Sequence, residues 1–442
     1  MNLPRPLPLT LALVALFVGS AQAQSLVELY ALARSYDAPY QSAKAQYDAN
    51  LARAEQARAG LLPTVGLTAG LSRSQFDNTT GSVATNRGYG TQNAAVSASQ
   101  PLYRPANTAT YAQGLKQAEV AQAQLTAAEQ DLIVRVSQAY FDVLAAQDSL
   151  TFVRAQKAAV AEQLAAAKRN FEVGTSTITD SREAQARYDL VLAQEIAAEN
   201  DLRVKMLALD QQVGKSNTHP NPLAAPVALP ALPQQDVTTW VQQSADNHPG
   251  IRQSRLALDI ARLETQKAEA GHKPTLDLTA SLGLTRNPDG STTTGLASRT
   301  TSSAVGLAFN LPLFAGYAIQ NRIRETLSLE DKARADLDAT QRTVAQGTRS
   351  AFFGVQSGMG QVKALEAAEA SSQSALDANK LGYQVGVRIN IDVLNSQSQL
   401  FQTKRDLAQA RYNVLLGGLK LRQASGVLKA EDLQGVNALL VK

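Results

Sequence analysis

Ala59-Gly60-Leu61-Leu62-Pro63-Thr64-Val65-Gly66-Leu67-Thr68-Ala69 returns 211 residues later as Ala270-Gly271-His272-Lys273-Pro274-Thr275-Leu276-Asp277-Leu278-Thr279-Ala280. Each version closes an alanine-rich helical stretch at a glycine and a proline, then changes to alternation with a period of two, the mark of a β-strand with one apolar face. The same offset carries Gln100-Pro101-Leu102-Tyr103 onto Leu311-Pro312-Leu313-Phe314, and an offset of 212 carries Phe171-Glu172-Val173-Gly174 onto Tyr383-Gln384-Val385-Gly386. Asp180 with Asp392 and Gly214 with Gly426 keep the second offset. Two copies of one unit are therefore expected, residues 24–214 and 237–426, followed by a short tail, 427–442. The connector, 215–236, holds five of the sixteen prolines, so it reads as extended and semi-rigid.

Within each copy the pattern predicts a first helix, 26–59 and 237–270, stopped at Gly60 or Gly271. A β-hairpin follows at about 61–104 and about 272–315. Val65, Leu67, Ala69 and Leu71 alternate with Thr64, Gly66, Thr68 and Gly70, and Leu276, Leu278, Ala280 and Leu282 alternate with Thr275, Asp277, Thr279 and Ser281. The returning strands do the same through Ala94, Val96 and Ala98 and through Val305, Leu307, Phe309 and Leu311. Long polar loops are expected at 77–88 and 287–302, which are rich in Gly, Asn, Ser and Thr. A very long helix comes next. From Leu115 to Phe171 a strict 3,4 spacing holds seventeen positions, of which all but Gln122, Glu129 and Lys157 are apolar. A period of 3.5 sustained that far is a coiled-coil seam rather than a globular helix face. The helix would run about 100 Å at 1.5 Å per residue, turn at Gly174, and return. The second copy has a weaker seam (Val344, Ala351, Val355, Val362, Leu365, Leu376) and turns at Gly386.

Composition narrows the function. With no Cys, disulfides, thiolate metal sites and N-terminal Cys lipidation are excluded. The three His (His219, His248, His272) show no metal-ligand spacing, and a net charge of +4 without basic runs argues against nucleic acid. No cofactor motif, nucleophile–base pair or phosphate loop is present, so no enzyme and no metal site is expected. Residues 1–23 read as a cleavable leader: Arg5, an apolar run from Leu9 to Val18, and Ala21-Gln22-Ala23 before the cut.

Alternation of this kind arises in a half-buried soluble sheet or in a barrel with lipid outside and water inside. The flanking helices are too Ala-rich to cover an apolar sheet, and the strands reach the roughly 9–11 residues a tilted membrane strand needs. Four strands cannot close a barrel, and open edges cannot face lipid. Copies must pool their strands, and the chain alone allows two, three or four of them.

With these features assembled, the sequence resembles the TolC family of outer-membrane channel-tunnels over nearly the whole mature chain. The resemblance rests on the hairpin tips, Phe171-Glu172-Val173-Gly174-Thr175-Ser176-Thr177-Ile178-Thr179-Asp180 and Gly382-Tyr383-Gln384-Val385-Gly386-Val387-Arg388-Ile389-Asn390-Ile391-Asp392. It rests also on the breaks Asp37-Ala38-Pro39 and Asn247-His248-Pro249. It implies an α+β membrane protein: a homotrimeric 12-stranded β-barrel in the outer membrane, continued by an α-helical coiled-coil barrel across the periplasm. Implied partners are a periplasmic adaptor (membrane fusion) protein and an inner-membrane ABC or RND-type transporter, besides outer-membrane lipid. By motif position, Val173, Gly174, Thr175, Val385, Gly386 and Val387 would contact the adaptor, although a Gly turn between antiparallel helices needs no partner to explain it. Thr179, Asp180, Tyr383, Arg388 and Asp392 would form the periplasmic gate, with Asp180–Tyr383 and Thr179–Arg388 as latches and Asp392 as an acidic ring favouring cations. Asn395 stands where a second acidic residue is expected, which makes that ring less negative. The implied function is the exit duct of a tripartite system exporting drugs or secreted proteins. A trimeric adhesin would instead place its strands in one C-terminal block, and a periplasmic coiled-coil scaffold would lack the barrel.

Overall fold

The computed structural model describes residues 24–231 and 233–441; the expected leader, 1–23, lies outside the described residues. The first half contains α1 (Leu26–Tyr36), α2 (Ala38–Arg58), β1 (Thr64–Thr80), β2 (Val83–Tyr103), α3 (Pro105–Glu172) and α4 (Ile178–Val213). The second repeats that order as α5 (Val237–Asn247), α6 (Pro249–Glu269), β3 (Thr275–Asn287), β4 (Ser298–Asn310), α7 (Ala318–Gln384) and α8 (Asn390–Ala424), with a short α9 (Asp432–Asn437) at the end.

The opening stretch of each half is two helices and not one. Asp37 leaves the helical region (ψ 114°) and accepts from the Tyr40 N–H, while Arg135 of α3 grips its carboxylate at 2.8 Å. In the second half His248 takes the same place, its Nδ1 accepting from the Gly250 N–H at 3.1 Å. Pro39 and Pro249 lack the N–H that would continue the preceding helix, so a break at each capping residue is the natural outcome. Gly60 does not end a helix by adopting a left-handed conformation. It sits in a 3₁₀ turn, and its bare Cα admits Asn107, whose Nδ2 donates to the Gly60 carbonyl at 2.6 Å.

The four strands form one antiparallel sheet in the order β1-β2-β3-β4, so hairpins from the two halves pair through β2 and β3. The expected loop at 77–88 is instead strand: pairing continues to Thr80↔Val83, closed by Gly81 and Ser82. The ladder is made by backbone groups, so polar side chains can carry it out into water beyond the apolar belt. The second hairpin keeps a shorter loop, 288–297, than the expected 287–302. Register puts Val65, Leu67, Leu71, Val96, Leu282, Val305 and Leu307 on one face, where they stay exposed, Leu71 at 83% and Val305 at 79%. The other face carries Thr68, Asn93, Ser97, Thr279, Ser281 and Ser302. β1 and β4 are open edges. No helix among the described residues is long and apolar enough to cross a membrane.

Sheet joins helices at a bidentate pair. Arg104, just before α3, donates from Nε to Asp277 Oδ1 at 2.8 Å and from Nη2 to Oδ2, and Asp277 is buried. This clamp ties the first half's strand-to-helix corner to the second half's first strand. Below it, α3 packs against α4 and α7 against α8, with α3 also against α8. Along the expected seam Leu132, Val136, Val143, Leu150, Val153, Val160, Leu164 and Ala167 are buried, whereas Leu115 and Phe171 at its ends are exposed.

Midway along the helices lies the largest core: Leu26, Leu29, Ile133, Tyr140, Phe141, Leu209, Tyr412, Leu416 and Leu433 among others. Each such large side chain contributes on the order of 1.5–3 kcal/mol by leaving water, so this girdle anchors the otherwise thin assembly of helices. Phe141 and Tyr412 stack at 5.8 Å, and Tyr140 Oη donates to the Asn221 carbonyl at 2.8 Å. The connector is stitched there to Gln24 and to the C-terminal segment, through the Gln24 N–H to the His219 carbonyl at 2.7 Å and the Val441 N–H to the Pro222 carbonyl at 2.8 Å.

Candidate functional site

At the end of the molecule far from the sheet, both helical hairpins turn in the same way. Gly174 adopts φ +80°, with the Thr175 N–H bonded to the Asn170 carbonyl at 2.8 Å and the Gly174 N–H to that of Phe171 at 3.0 Å. Gly386 also has φ +80°, with Val387 to Gly382 at 2.9 Å and Gly386 to Tyr383 at 3.2 Å. Six-to-one plus five-to-two bonding around a left-handed residue is a Schellman stop, and only glycine takes that conformation without strain. The turns leave Val173, Val385 and Val387 jutting out, 72%, 65% and 76% exposed. Thr175 is exposed beside them, and nothing lies within 4 Å of a Cβ built on Gly174 or Gly386.

The helix starts after these turns differ. In the first, Thr177 Oγ1 accepts from the Asp180 N–H at 3.2 Å, and Asp180 Oδ2 accepts from the Thr177 N–H at 3.1 Å and from Ser176 Oγ at 2.6 Å. Burial pushes the Asp180 carboxyl up, but the hydrogen bonds from Ser176 and Thr177 outweigh it and hold the group below the usual carboxylate range. In the second, Ile389 occupies the capping place and has no side-chain oxygen to offer, so the Asp392 N–H bonds only to its carbonyl at 3.2 Å. Asp392 is therefore free of its own helix terminus and lies 3.7 Å from Arg388, one turn away. Thr177-x-x-Asp180 against Ile389-x-x-Asp392 is a capping-box difference legible in the sequence.

The expected latches are not made within one chain. Asp180 is engaged by its own cap, and Tyr383 Oη accepts from Asn170 Nδ2 at 3.3 Å; Thr179 is exposed and Arg388 leans on Asp392. A carboxylate that already accepts from Ser176 Oγ, the Thr177 N–H and Thr177 Oγ1 has little to gain from a phenol on the neighbouring hairpin. Besides the Asn170–Tyr383 bond, further residues join the two hairpins. Asn390, fully buried, donates from Nδ2 to the Asp180 carbonyl at 3.2 Å and accepts on Oδ1 from Gln163 Nε2. Arg187 Nη2 donates to Asn395 Oδ1 at 2.8 Å. The tip motif gives Asn390 no role of its own, yet the sequence carries a signal: the first copy has apolar Ile178 at the equivalent place. A polar residue in only one copy, at a position the fold buries, marks a cross-hairpin contact.

A sheet with an apolar outer face, continued by two long helical hairpins per chain, is the architecture of an outer-membrane channel with a helical tunnel. Residues 29–215 and 240–427 match the outer membrane efflux protein family, and the chain belongs to it. The chain is 32% identical over 434 residues to "Outer membrane protein TolC" of Vibrio cholerae, covering 96% of this chain and 98% of that protein. It is 31% identical over 434 residues to "Proteases secretion protein PrtF" of Dickeya chrysanthemi, covering 95% and 92%. Among solved structures it resembles the Vibrio cholerae outer membrane protein VceC, with TM-score 0.77 at 19% identity over 91% of this chain and 96% of that one. The open state of the Neisseria gonorrhoeae MtrE outer membrane channel aligns with TM-score 0.76 at 19% identity, over 92% and 90%. The chain is thus an outer-membrane channel protein and not an enzyme.

Proposed function

We propose that three copies of this chain close a twelve-stranded barrel in the outer membrane and form the exit duct of a tripartite export system, passing drugs or secreted proteins outward. The observation that carries the reading is a four-stranded sheet with an exposed apolar face and two open edges, set above helical hairpins. Unpaired edges in lipid cost several kcal/mol per group, so β1 of one copy pairs with β4 of the next. Leu192, Ile196, Val204 and Leu207 form an uncovered apolar stripe on α4, which suits packing against a neighbouring copy. Relatives named as protease secretion proteins support a cargo of secreted protein.

In this reading Val173, Gly174 and Thr175 with Val385, Gly386 and Val387 are the docking surface for a periplasmic adaptor, whose own partner is an inner-membrane ABC or RND-type transporter. Small residues around a glycine turn allow a second helical hairpin to approach closely. Thr179, Asp180, Tyr383, Arg388 and Asp392 form the gate. Within it Asp392, uncapped and paired only with Arg388, lines the pore as an acidic ring, and Asp180, already capped, holds its helix start in place.

The test is assembly and conductance of the full-length protein in detergent and in planar bilayers. The wild type should sediment as a trimer and conduct, and Ile196→Asp should give monomers. A wild-type protein that is monomeric in detergent refutes the reading.

A further inference from the structure

The two borders of the apolar belt differ. Towards the helices it ends in aromatic rings: Tyr103, Phe314 and Tyr317 are exposed, the last two edge-to-face at 5.6 Å. Such rings suit a lipid–water interface. Towards the hairpin turns the same face ends in guanidinium groups. Arg73 follows Leu71 on β1, Arg286 follows Leu284 on β3, and Arg299 precedes Thr301 on β4, each on the apolar side by the strand alternation.

Arg286 and Arg299 are direct cross-strand partners. Like charges facing one another across an antiparallel pair destabilise it, because their Cβ atoms are only about 4.5–5.5 Å apart. Both side chains are exposed, and neither is in an ion pair or hydrogen bond among the described residues. Asp289 does not relieve them: it lies over Gly90, two residues further out on β2 than the pair's neighbour Gln92, and forms no ion pair with either arginine. Beneath the pair the face is hollowed into an open depression of about 1120 Å³, with Leu71, Ala94 and Leu284 in its apolar part and Arg286 and Arg299 at its outer margin.

We propose that this margin binds an anionic, phosphate-bearing lipid of the outer leaflet, its phosphate bridging Arg286 and Arg299 and its acyl chains lying in the depression below. Charge complementarity selects the occupant. Two forked guanidinium groups offer parallel N–H donors to phosphate oxygens, and the anion between them turns a repulsive pair into a bridged one. Arg73 adds a third positive charge at the same border. The inference rests on the lipid-facing assignment of this sheet face.

The experiment uses the purified full-length protein in phosphatidylcholine nanodiscs made with diphosphorylated lipid A, with phosphate-stripped lipid A, or with neither plus millimolar inorganic phosphate. Diphosphorylated lipid A should raise the unfolding temperature of the wild type, and binding of a fluorescent form should weaken about tenfold or more in Arg286→Gln/Arg299→Gln. Without lipid A the double variant should unfold no lower than wild type, since the unbridged repulsion is gone. Arg286→Lys/Arg299→Lys should keep part of the binding. An equal gain with phosphate-stripped lipid, an equal gain from inorganic phosphate, or an unweakened double variant would overturn the inference. Failure of the wild type to enter neutral nanodiscs would overturn the lipid-facing assignment with it, whereas entry without discrimination overturns the inference alone.

Discussion

Replacing Asn390 by Ala should loosen the contact between the two hairpin tips without disturbing the helices that carry them. The side chain is fully buried between hairpins, donating to the Asp180 carbonyl at 3.2 Å and accepting from Gln163. Each net hydrogen bond is worth about 1 kcal/mol, and the Gln163 amide loses its partner, so the hairpin pair in one chain weakens by roughly 2 kcal/mol. At about 1.4 kcal/mol per tenfold, that shifts the local closed-to-parted equilibrium about thirtyfold. The Asp180 carbonyl keeps its place in the first turn of α4, so the helix itself is spared. Single-channel conductance should rise, and amide exchange should accelerate at 173–180 and 385–392 but not in the sheet. Gln163→Ala should be largely non-additive with Asn390→Ala, because both delete one contact. A correctly assembled Asn390→Ala protein with wild-type conductance and wild-type exchange at both tips would refute the reasoning.

Thr177→Ala removes the capping box around Asp180 and should cost about 1 kcal/mol of local stability. Because the folded Asp180 carboxyl is held low, its stabilisation is fully present above the ordinary aspartate value of 3.8 and is lost as pH falls through the lower folded value. Exchange at 173–182 should therefore rise on acidification in the wild type and less steeply in the variant. Gly386→Ala forces a side chain into φ +80° and should strain the second tip by about 1–2 kcal/mol, with weaker capture by the proposed adaptor in a pull-down but unchanged bilayer insertion.

Sequence alone determined the features that depend on neighbours along the chain. The offsets of 211 and 212 established two related halves, the 3,4 seam announced a helix that runs from Pro105 to Glu172, and Gly174 and Gly386 marked turns that both show φ +80°. These follow from local sterics and from a periodicity that no fold can hide. Tertiary structure decided what depends on partners distant in the chain. The polar run at 77–88 reads as a loop, yet it is paired strand, because a ladder needs a facing backbone and not apolar side chains. The pairing of β2 with β3, the Arg104–Asp277 clamp and the juxtaposition of Arg286 with Arg299 all depend on register, which period-two alternation leaves open. At the tip, motif position placed the candidate residues, but only packing revealed that Asp180 is occupied by its own cap and that Asn390 joins the hairpins. A hydrogen bond is chosen by competition among all donors within reach, and which donors are within reach is a property of the folded chain.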